Sequence, residues 1–390
     1  MKQLGWIVLA ALIAAPAWGA RAITVAELRE TLASMHKAGK SDEEVADALK
    51  QVELSEQLTR STMNSMVDDV PGRLSTEQIY VLEARSALLP PPPSDIPTAA
   101  APDAAAQKTM LDKAASYVSK TYTQLPALTA TKTTIRFQDN IEATAASSGL
   151  HSGARDATNG SGIVSPFQFV HYINSTDSEV ASNHGAELEP KEKDKTPWGA
   201  NRMIAVETPD PSLGTVFDEA QAAGEIKWVR WQLVNDKQTA VYSFNVPKKK
   251  GKMEVNVCCF PDVTQAGMAS FTSASLTGTG GAKGNFQTAT SWHNYKSSLP
   301  YHGELFIDPG TGIVVRMIVQ DETKKSDEVH QLDERVDYGP ATVDGKQLVV
   351  PMRTVTLTQV VPNGDSGSAG AYSERNTFFT TEYKNYAASK

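Results

Sequence analysis

Gly364-Asp365-Ser366-Gly367 is the segment whose residue types come closest to a catalytic motif, because it could present Ser366 as a nucleophile. A serine nucleophile needs a histidine base, an orienting carboxylate and a backbone oxyanion hole. No Ala-Ala-His-Cys-like segment lies upstream, and the neighbouring Asn363, Ser368 and Gly370 are typical of a hairpin loop. We therefore predict a loop here and assign no catalytic residue.

The glycine-rich segment from Gly278 to Gly284 contains Lys283 and could be compared with a phosphate-binding loop. Such a loop needs Gly-Lys-Ser/Thr at the start of a helix that follows a strand. Asn285-Phe286-Gln287 follows instead, so the order of residues does not fit. The sequence predicts an ordinary loop at this position.

The seven histidines are scattered along the chain. No two of them stand three or four residues apart, and none lies in His-Glu-x-x-His, so we predict no metal site and no cofactor. His293 and His302 flank a loop with several aromatic residues and could line the mouth of a pocket. Ordinary hydrogen-bonded histidines are the favoured interpretation.

Two pairs of carboxylates, Asp333 with Asp337 and Glu304 with Asp308, have residue types that a glycosidase could use. Even spacing in a strand places each pair on one face, which is commonly the solvated one, so no catalytic role follows. Asp308 also begins Asp308-Pro309-Gly310-Thr311-Gly312, whose residue types are those of a tight turn. The turn explains this segment better than a cation site does.

Four large aromatic residues are candidates for binding an apolar ligand. Trp228 and Trp231 stand three residues apart in a predicted strand, so alternation places them on its two faces. A strand covered on both sides would fit a lid or a lined concavity. We add Phe244 and Phe306 from neighbouring predicted strands as ligand-binding candidates, with packing in the core as the alternative for each.

The only cysteines, Cys258 and Cys259, are adjacent in sequence. Adjacent Cα atoms lie about 3.8 Å apart, which is below the separation of about 4.4–6.8 Å that disulfides prefer. Two thiols on opposite sides of a strand are therefore favoured. A strained, reducible vicinal disulfide and a metal-binding role remain as alternatives.

Residues 1–22 have the features of a secretory signal peptide. Lys2 precedes an apolar run from Leu4 to Ala15, and small residues lead to a cleavage site after Ala22, with the bond after Gly19 as second choice. A membrane anchor is the alternative, but the run is shorter than the roughly 20 residues that a spanning helix needs. We expect a periplasmic or extracellular protein without a transmembrane segment after cleavage.

Composition and patterning divide the rest of the chain. The formal net charge of −8 argues against nucleic acid as a partner. Residues 23–89 predict a small helical module, in which Thr24 with Glu27, Ser41 with Glu44, and Ser75 with Gln78 fit the spacing of capping boxes. The proline- and alanine-rich residues 90–106 predict a linker, and residues 107–390 an antiparallel β domain.

The β domain begins with a predicted helix from Gln107 and continues with about ten strands in series. Two consecutive hairpins near the C-terminus carry the strongest signal. One turns at Asp308–Gly312, and the other runs from Val329 to Arg353, with a turn predicted through Gly339-Pro340. We predict the α+β class: a helical module, a proline-rich linker, and a large curved antiparallel sheet, an unclosed barrel, with a covering helix.

Three motifs follow one another in these hairpins: Asp-Pro-x-Thr-Gly from Asp308, Val-Asp-Tyr-Gly from Val336, and Val-Asp-Gly-Lys-x-Leu-Val-x-Pro from Val343. In this order the chain resembles the C-terminal part of uncharacterised secreted bacterial proteins, and more distantly the periplasmic lipoprotein-carrier (LolA/LolB-like) superfamily. The resemblance covers Gln107–Tyr386. It implies an unclosed barrel with a helical lid that holds acyl chains or another apolar ligand.

We therefore expect an exported, non-enzymatic envelope protein whose sheet binds an apolar ligand or a lipoprotein. One alternative is a structural or interaction protein whose helical module docks an envelope partner. A second alternative is an exported hydrolase, which would require convergent acids or a Ser/His pair in a cleft.

Overall fold

A computed structural model describes residues 22–139, 170–188, 211–251, 254–261, 292–324, 327–360 and 375–389. The chain divides into two compact units, and the division falls between Pro92 and Pro93. Within the described ranges, no helix combines the length and the apolar character that crossing a membrane requires. The predicted loops around Ser366 and from Gly278 to Gly284, and residues 1–21 of the predicted signal peptide, lie outside these ranges.

The first unit is helical. Its helices are α1 (Val25–Lys37), α2 (Asp42–Lys50), α3 (Arg60–Val67) and α4 (Arg73–Arg85). Thr24 and Ser41 cap α1 and α2 in reciprocal capping boxes, which confirms the prediction at both positions. The core of this unit consists mainly of leucine and methionine side chains, with one valine and one isoleucine; among them are Leu28, Leu32, Val45, Leu49, Leu58, Met63, Met66 and Ile79.

The segment that precedes α3 is extended at Leu54. Leu54 forms a parallel bridge with Ile23, and the Ile23 N–H donates to the Glu53 carbonyl oxygen at 2.8 Å. These contacts keep the segment extended, and α3 begins only after Thr59, whose side chain caps it.

The prediction of Ser75 as the capping residue of the fourth helix is wrong, because α4 begins at Arg73 and Ser75 lies in its first turn. The cap comes from another helix. The Asp42 carboxylate of α2 accepts hydrogen bonds from the Leu74 and Ser75 N–H groups at 3.0 and 2.9 Å. Residues distant in sequence therefore fix where α4 starts.

The second unit contains the sheet. Its strands are β1 (Leu128–Gln138), β2 (His171–Asn183), β3 (Ala186–Glu187), β4 (Lys227–Val234), β5 (Lys237–Val246), β6 (Val255–Pro261), β7 (Trp292–Ser297), β8 (Tyr301–Ile307), β9 (Val314–Asp321), β10 (Val329–Val343), β11 (Lys346–Val360) and β12 (Arg375–Ala388). Ten of them form one antiparallel sheet in the order β3-β2-β1-β12-β11-β10-β9-β8-β5-β4. Because β3 and β4 end this order without pairing to each other, the sheet is not closed. The predicted α+β class is confirmed.

Both predicted hairpins form, but the second turns later than predicted. The chain reverses at Asp344-Gly345, where φ is 48° and 75°, as a tight hairpin turn of the Asp-Gly type requires. Pro340 therefore lies inside β10. It is tolerated there because β9 pairs with β10 only from Asp333 to Asp337, so no ladder to β9 is interrupted.

Two helices of the sheet unit, α5 (Ala104–Lys120) and α6 (Leu213–Ala223), pack on one face of the sheet, which we call the covered face. Their buried side chains include Met110, Ala114, Val118, Val216, Phe217 and Ala220. Each large apolar side chain contributes roughly 1.5–3 kcal/mol when it is fully buried. Helix α5 approaches the sheet closely at Gly312, because this residue has no side chain; a Cβ atom there would lie 2.5 Å from the carbonyl carbon of Lys113.

Strands β6 and β7 form a separate two-stranded sheet, whose register shifts between Val257 and Phe260. Cys258 and Cys259 fall at this shift. Only the backbone is described here, so the predictions for the cysteine pair stay open.

Candidate functional site

A cavity of about 30 Å³ lies on the covered face, where the chain after α5 meets the middle and one end of the sheet. Most of its wall is aromatic or aliphatic. Six of the residues that line it are Tyr122, Tyr338, Tyr383, Tyr386, Leu128 and Glu187. The volume suits about one or two water molecules, so a larger ligand requires part of the wall to move.

Tyr122 closes the cavity on the helix side. It begins a short 3-10 turn, Tyr122–Gln124, and its ring packs edge-on against Tyr338 with 5.7 Å between the ring centroids. Its hydroxyl donates to the Gly185 carbonyl oxygen at 2.8 Å. Gly185 has a φ of 75°, and a Cβ atom at this position would lie only 2.4 Å from the Tyr122 ring. Glycine is thus required for both its backbone conformation and this contact.

The β2–β3 hairpin forms the opposite part of the wall. Its two-residue strand β3 is held by the register pairs Ser182–Glu187 and Asn183–Ala186. At its tip, His184 Nδ1 lies 3.1 Å from the carbonyl oxygen of Thr123. The tip of the hairpin therefore contacts the Tyr122 turn at two neighbouring residues.

A buried ion pair adjoins the cavity. Lys132 Nζ lies 2.8 Å from Glu187 Oε1, and the two side chains are 5% and 11% exposed. The Tyr383 hydroxyl donates to Glu187 Oε2 at 2.8 Å, and Lys132 Nζ lies 5.6 Å from the centroid of the Tyr383 ring. Both oxygens of one carboxylate are thus bound by donors from the sheet.

Strand β1 positions Lys132 because its alternate residues face inward. The buried positions run Leu128, Ala130, Lys132 and Thr134, while the intervening threonines are only half-buried. The inward-facing side chains change from apolar to polar along the strand. Sequence reasoning missed this site, since polar residues occupy both phases of β1 and only the sheet decides which phase is inside.

The four aromatic candidates lie elsewhere. A register shift between Trp228 and Arg230 turns both tryptophans to the covered face, so the prediction of two faces is wrong. Their rings pack edge-on at 4.8 Å, and Trp231 Nε1 donates to the Ala100 carbonyl oxygen at 2.9 Å. Phe244 belongs to the same core, whereas Phe306 packs on the opposite face with Val241. None of the four lines the cavity.

The carboxylates considered for catalysis have structural partners. Arg230 donates to both oxygens of Glu304, at 2.6 and 2.8 Å. Asp308 accepts from the N–H groups of Gly310 and Thr311, as the predicted turn requires. Among the described residues, no group of three or more His, Cys, Asp or Glu side chains is arranged to hold a metal ion.

Asp337 lies on the face opposite α5 and α6, within a buried group of arginines. Arg316 Nε lies 2.5 Å from one oxygen of Asp337, and an Arg335 nitrogen lies 2.8 Å from the other. Burial alone would raise the pKa of Asp337, but the charges of Arg316 and Arg335 outweigh it and hold this pKa well below its ordinary value. The aspartate therefore stays ionised and stabilises the arginines.

Asp321, at the end of β9, is a carboxyl group that sequence reasoning did not single out. Burial, and then the charge of Asp333, raise the pKa of Asp321 to about 7. Its Oδ1 atom is buried and has no hydrogen-bond partner among the described residues. Its neighbour Asp333 accepts hydrogen bonds from Gln320 and Gln331, and we assign no catalytic role to this pair.

No protein-family model, no curated protein and no solved structure matches this chain.

Proposed function

We propose that the chain is an exported, non-enzymatic protein that binds an apolar or amphiphilic ligand, such as a lipid or the acyl part of a lipoprotein, on the covered face of its sheet. The site is the cavity between the Tyr122 turn, the β2–β3 hairpin and strands β1, β10, β11 and β12.

The observation that carries this proposal is the composition of the cavity wall. Tyrosine rings and aliphatic side chains form most of it, and the buried pair Lys132–Glu187 adjoins it. Ligand sites typically combine such an apolar wall with a few placed polar groups. An apolar chain would pack against the wall, while the polar groups would contact its head.

The ligand enters by displacing part of the cover. Ligand pockets typically measure about 300–1,000 Å³, and the cavity of about 30 Å³ is closed by comparison. The element proposed to move is β3, the end of the β2–β3 hairpin, which two register pairs join to β2. The long strands β1 and β12 remain in place as the floor of the site.

The experiment is a binding assay on the purified full chain after solvent extraction, with displacement of a fluorescent fatty acid by decanoic acid. Native mass spectrometry before extraction would detect a retained lipid. Ala130→Leu fills the cavity from its floor and should weaken binding at least about tenfold, since an added buried side chain competes for the ligand's volume. Thr129→Leu, one residue away on the other face of β1, is the matched control and should bind as the unaltered protein does.

A protein that retains no lipid and binds no fluorescent fatty acid would overturn the proposal. Equal weakening by Ala130→Leu and Thr129→Leu, with both variants folded, would place the binding elsewhere.

A further inference from the structure

Glu187 holds a position in this site that a ligand's own acidic group could occupy. Its two oxygens accept from two donors that belong to the sheet, Lys132 Nζ and the Tyr383 hydroxyl, each at 2.8 Å. Two donors that converge on one carboxylate form a site for an oxyanion. In this conformation the oxyanion is supplied by the chain itself.

The two sides of this ion pair differ in how firmly they are held. Lys132 lies in β1, which pairs along its length with β2 on one side and β12 on the other. Glu187 lies in β3, a strand of two residues. Movement of β3 away from β2 would take Glu187 away and leave Lys132 in the sheet.

Such a movement carries an electrostatic cost that a ligand can remove. The Lys132 side chain is 5% exposed, and a buried ammonium separated from its counterion is strongly destabilised. A carboxylate or phosphate head group would restore the lost charge and also accept from the Tyr383 hydroxyl. An uncharged head group would not restore the charge.

We propose that the site selects anionic amphiphiles, whose carboxylate or phosphate head replaces Glu187 between Lys132 and Tyr383 while the apolar chain packs against the tyrosine and aliphatic wall. This inference rests on the proposed function and adds the chemical class of the ligand. The hairpin thus carries an internal counterion that competes with the ligand.

The test compares decanoic acid, decyl phosphate and 1-decanol, which share one chain and differ in the head, by displacement of a neutral fluorescent probe at pH 8. A charge-assisted hydrogen bond contributes about 1.5–3 kcal/mol, so the two acids should bind at least about tenfold more tightly than the alcohol. Inorganic phosphate is a separate arm and should not displace the probe.

Two variants test the two members of this ion pair. Lys132→Met should abolish the preference for acids. Glu187→Gln should make decanoic acid and 1-decanol both bind more tightly, because neither ligand then has to break the ion pair with Lys132. The double variant Lys132→Met/Glu187→Gln leaves no unpaired charge from this pair, so it keeps the test valid if Lys132→Met unfolds. It should bind the acid and the alcohol equally.

Equal binding of acid and alcohol by the unaltered protein would overturn the inference and leave the proposed function standing. An acid preference that survives in the folded double variant would also overturn it. If none of the three amphiphiles displaces the probe from the unaltered protein, the proposed function is overturned as well. Displacement by inorganic phosphate alone would overturn the inference and identify the site as one for a free anion.

Discussion

The hydroxyl of Tyr122 donates to the carbonyl oxygen of Gly185 at 2.8 Å, while the Tyr122 ring fills the space that a side chain at Gly185 would need. One residue of the segment after α5 thus holds the tip of the hairpin that carries Glu187. The contact joins the cover of the cavity to the element proposed to move.

Gly185→Ala should release this hairpin. The new methyl group would clash with the Tyr122 ring, 2.4 Å away, and alanine is also strained at a φ of 75°. We expect faster amide hydrogen exchange in β2 and β3, which mass spectrometry can measure, together with a loss of about 1–3 kcal/mol in the free energy of unfolding.

Gly345→Ala is the matched control for this change. Gly345 has the same φ of 75°, but nothing lies within 4 Å of its Cβ position. It should show the backbone strain alone, without faster exchange in β2 and β3. Identical exchange in the two variants would contradict the importance of the Tyr122 contact.

Asp337→Asn should strongly destabilise the sheet unit. Removal of this carboxylate leaves Arg316 and Arg335 without their shared partner. Breaking a buried ion pair costs about 3–5 kcal/mol, and this range applies because the Asp337 side chain is only 21% exposed. Asp112→Asn breaks an exposed pair with Lys108 and should cost less than about 1 kcal/mol. Urea unfolding of both variants measures the difference.

The contribution of Asp337 to the free energy of unfolding should decrease at low pH. Its pKa in the folded protein lies below that in the unfolded chain, so the carboxylate stabilises the fold fully above about pH 4. This stabilisation is lost as the pH falls below about 4 towards the pKa that Asp337 has in the folded protein. The difference in the free energy of unfolding between the unaltered protein and Asp337→Asn should shrink over that range, and a constant difference would be inconsistent with it.

Asp321→Asn should have the opposite pH dependence. The pKa of Asp321 is about 7 in the folded protein, above that of the unfolded chain, so this group makes the protein less stable as pH rises from about 4 to 7. At pH 8 the variant should be more stable than the unaltered protein by roughly 1–3 kcal/mol, and the gain should vanish below pH 4. Asp112→Asn, in its exposed pair with Lys108, should give no such gain in urea unfolding at pH 8.

Asp42→Ala should destabilise the helical unit. The variant removes the acceptor for the Leu74 and Ser75 N–H groups at the start of α4. We expect a lower melting temperature of the isolated residues 23–92, followed by circular dichroism. Asp47→Ala removes only an exposed pair with Lys50 and should melt close to the unaltered fragment.

Local chemistry predicted much of the fold. The capping boxes at Thr24 and Ser41 predict where their helices start, and the pattern around Asp308 predicts the turn that forms. The end of β10 was misplaced because Gly339-Pro340 has turn residues, whereas Asp344-Gly345 supplies the positive φ values that the hairpin needs.

The site was beyond prediction because it depends on contacts between distant residues. A one-residue register shift in β4 decides that Trp228 and Trp231 share a face. Lys132 and Glu187 lie 55 positions apart, and nothing local to either indicates that they pair. Such relationships arise only when the strands are assembled.

Ligand binding on the covered face is tested most directly by a crystal structure of the protein bound to decanoic acid that carries a terminal bromine. Anomalous scattering from bromine would locate the apolar end of the ligand. We expect a bromine peak beside Leu128 and Tyr386 and the carboxylate between Lys132 and Tyr383, with Glu187 displaced. A peak beside Trp228 and Phe244, or no bound ligand at saturating concentration, would contradict it.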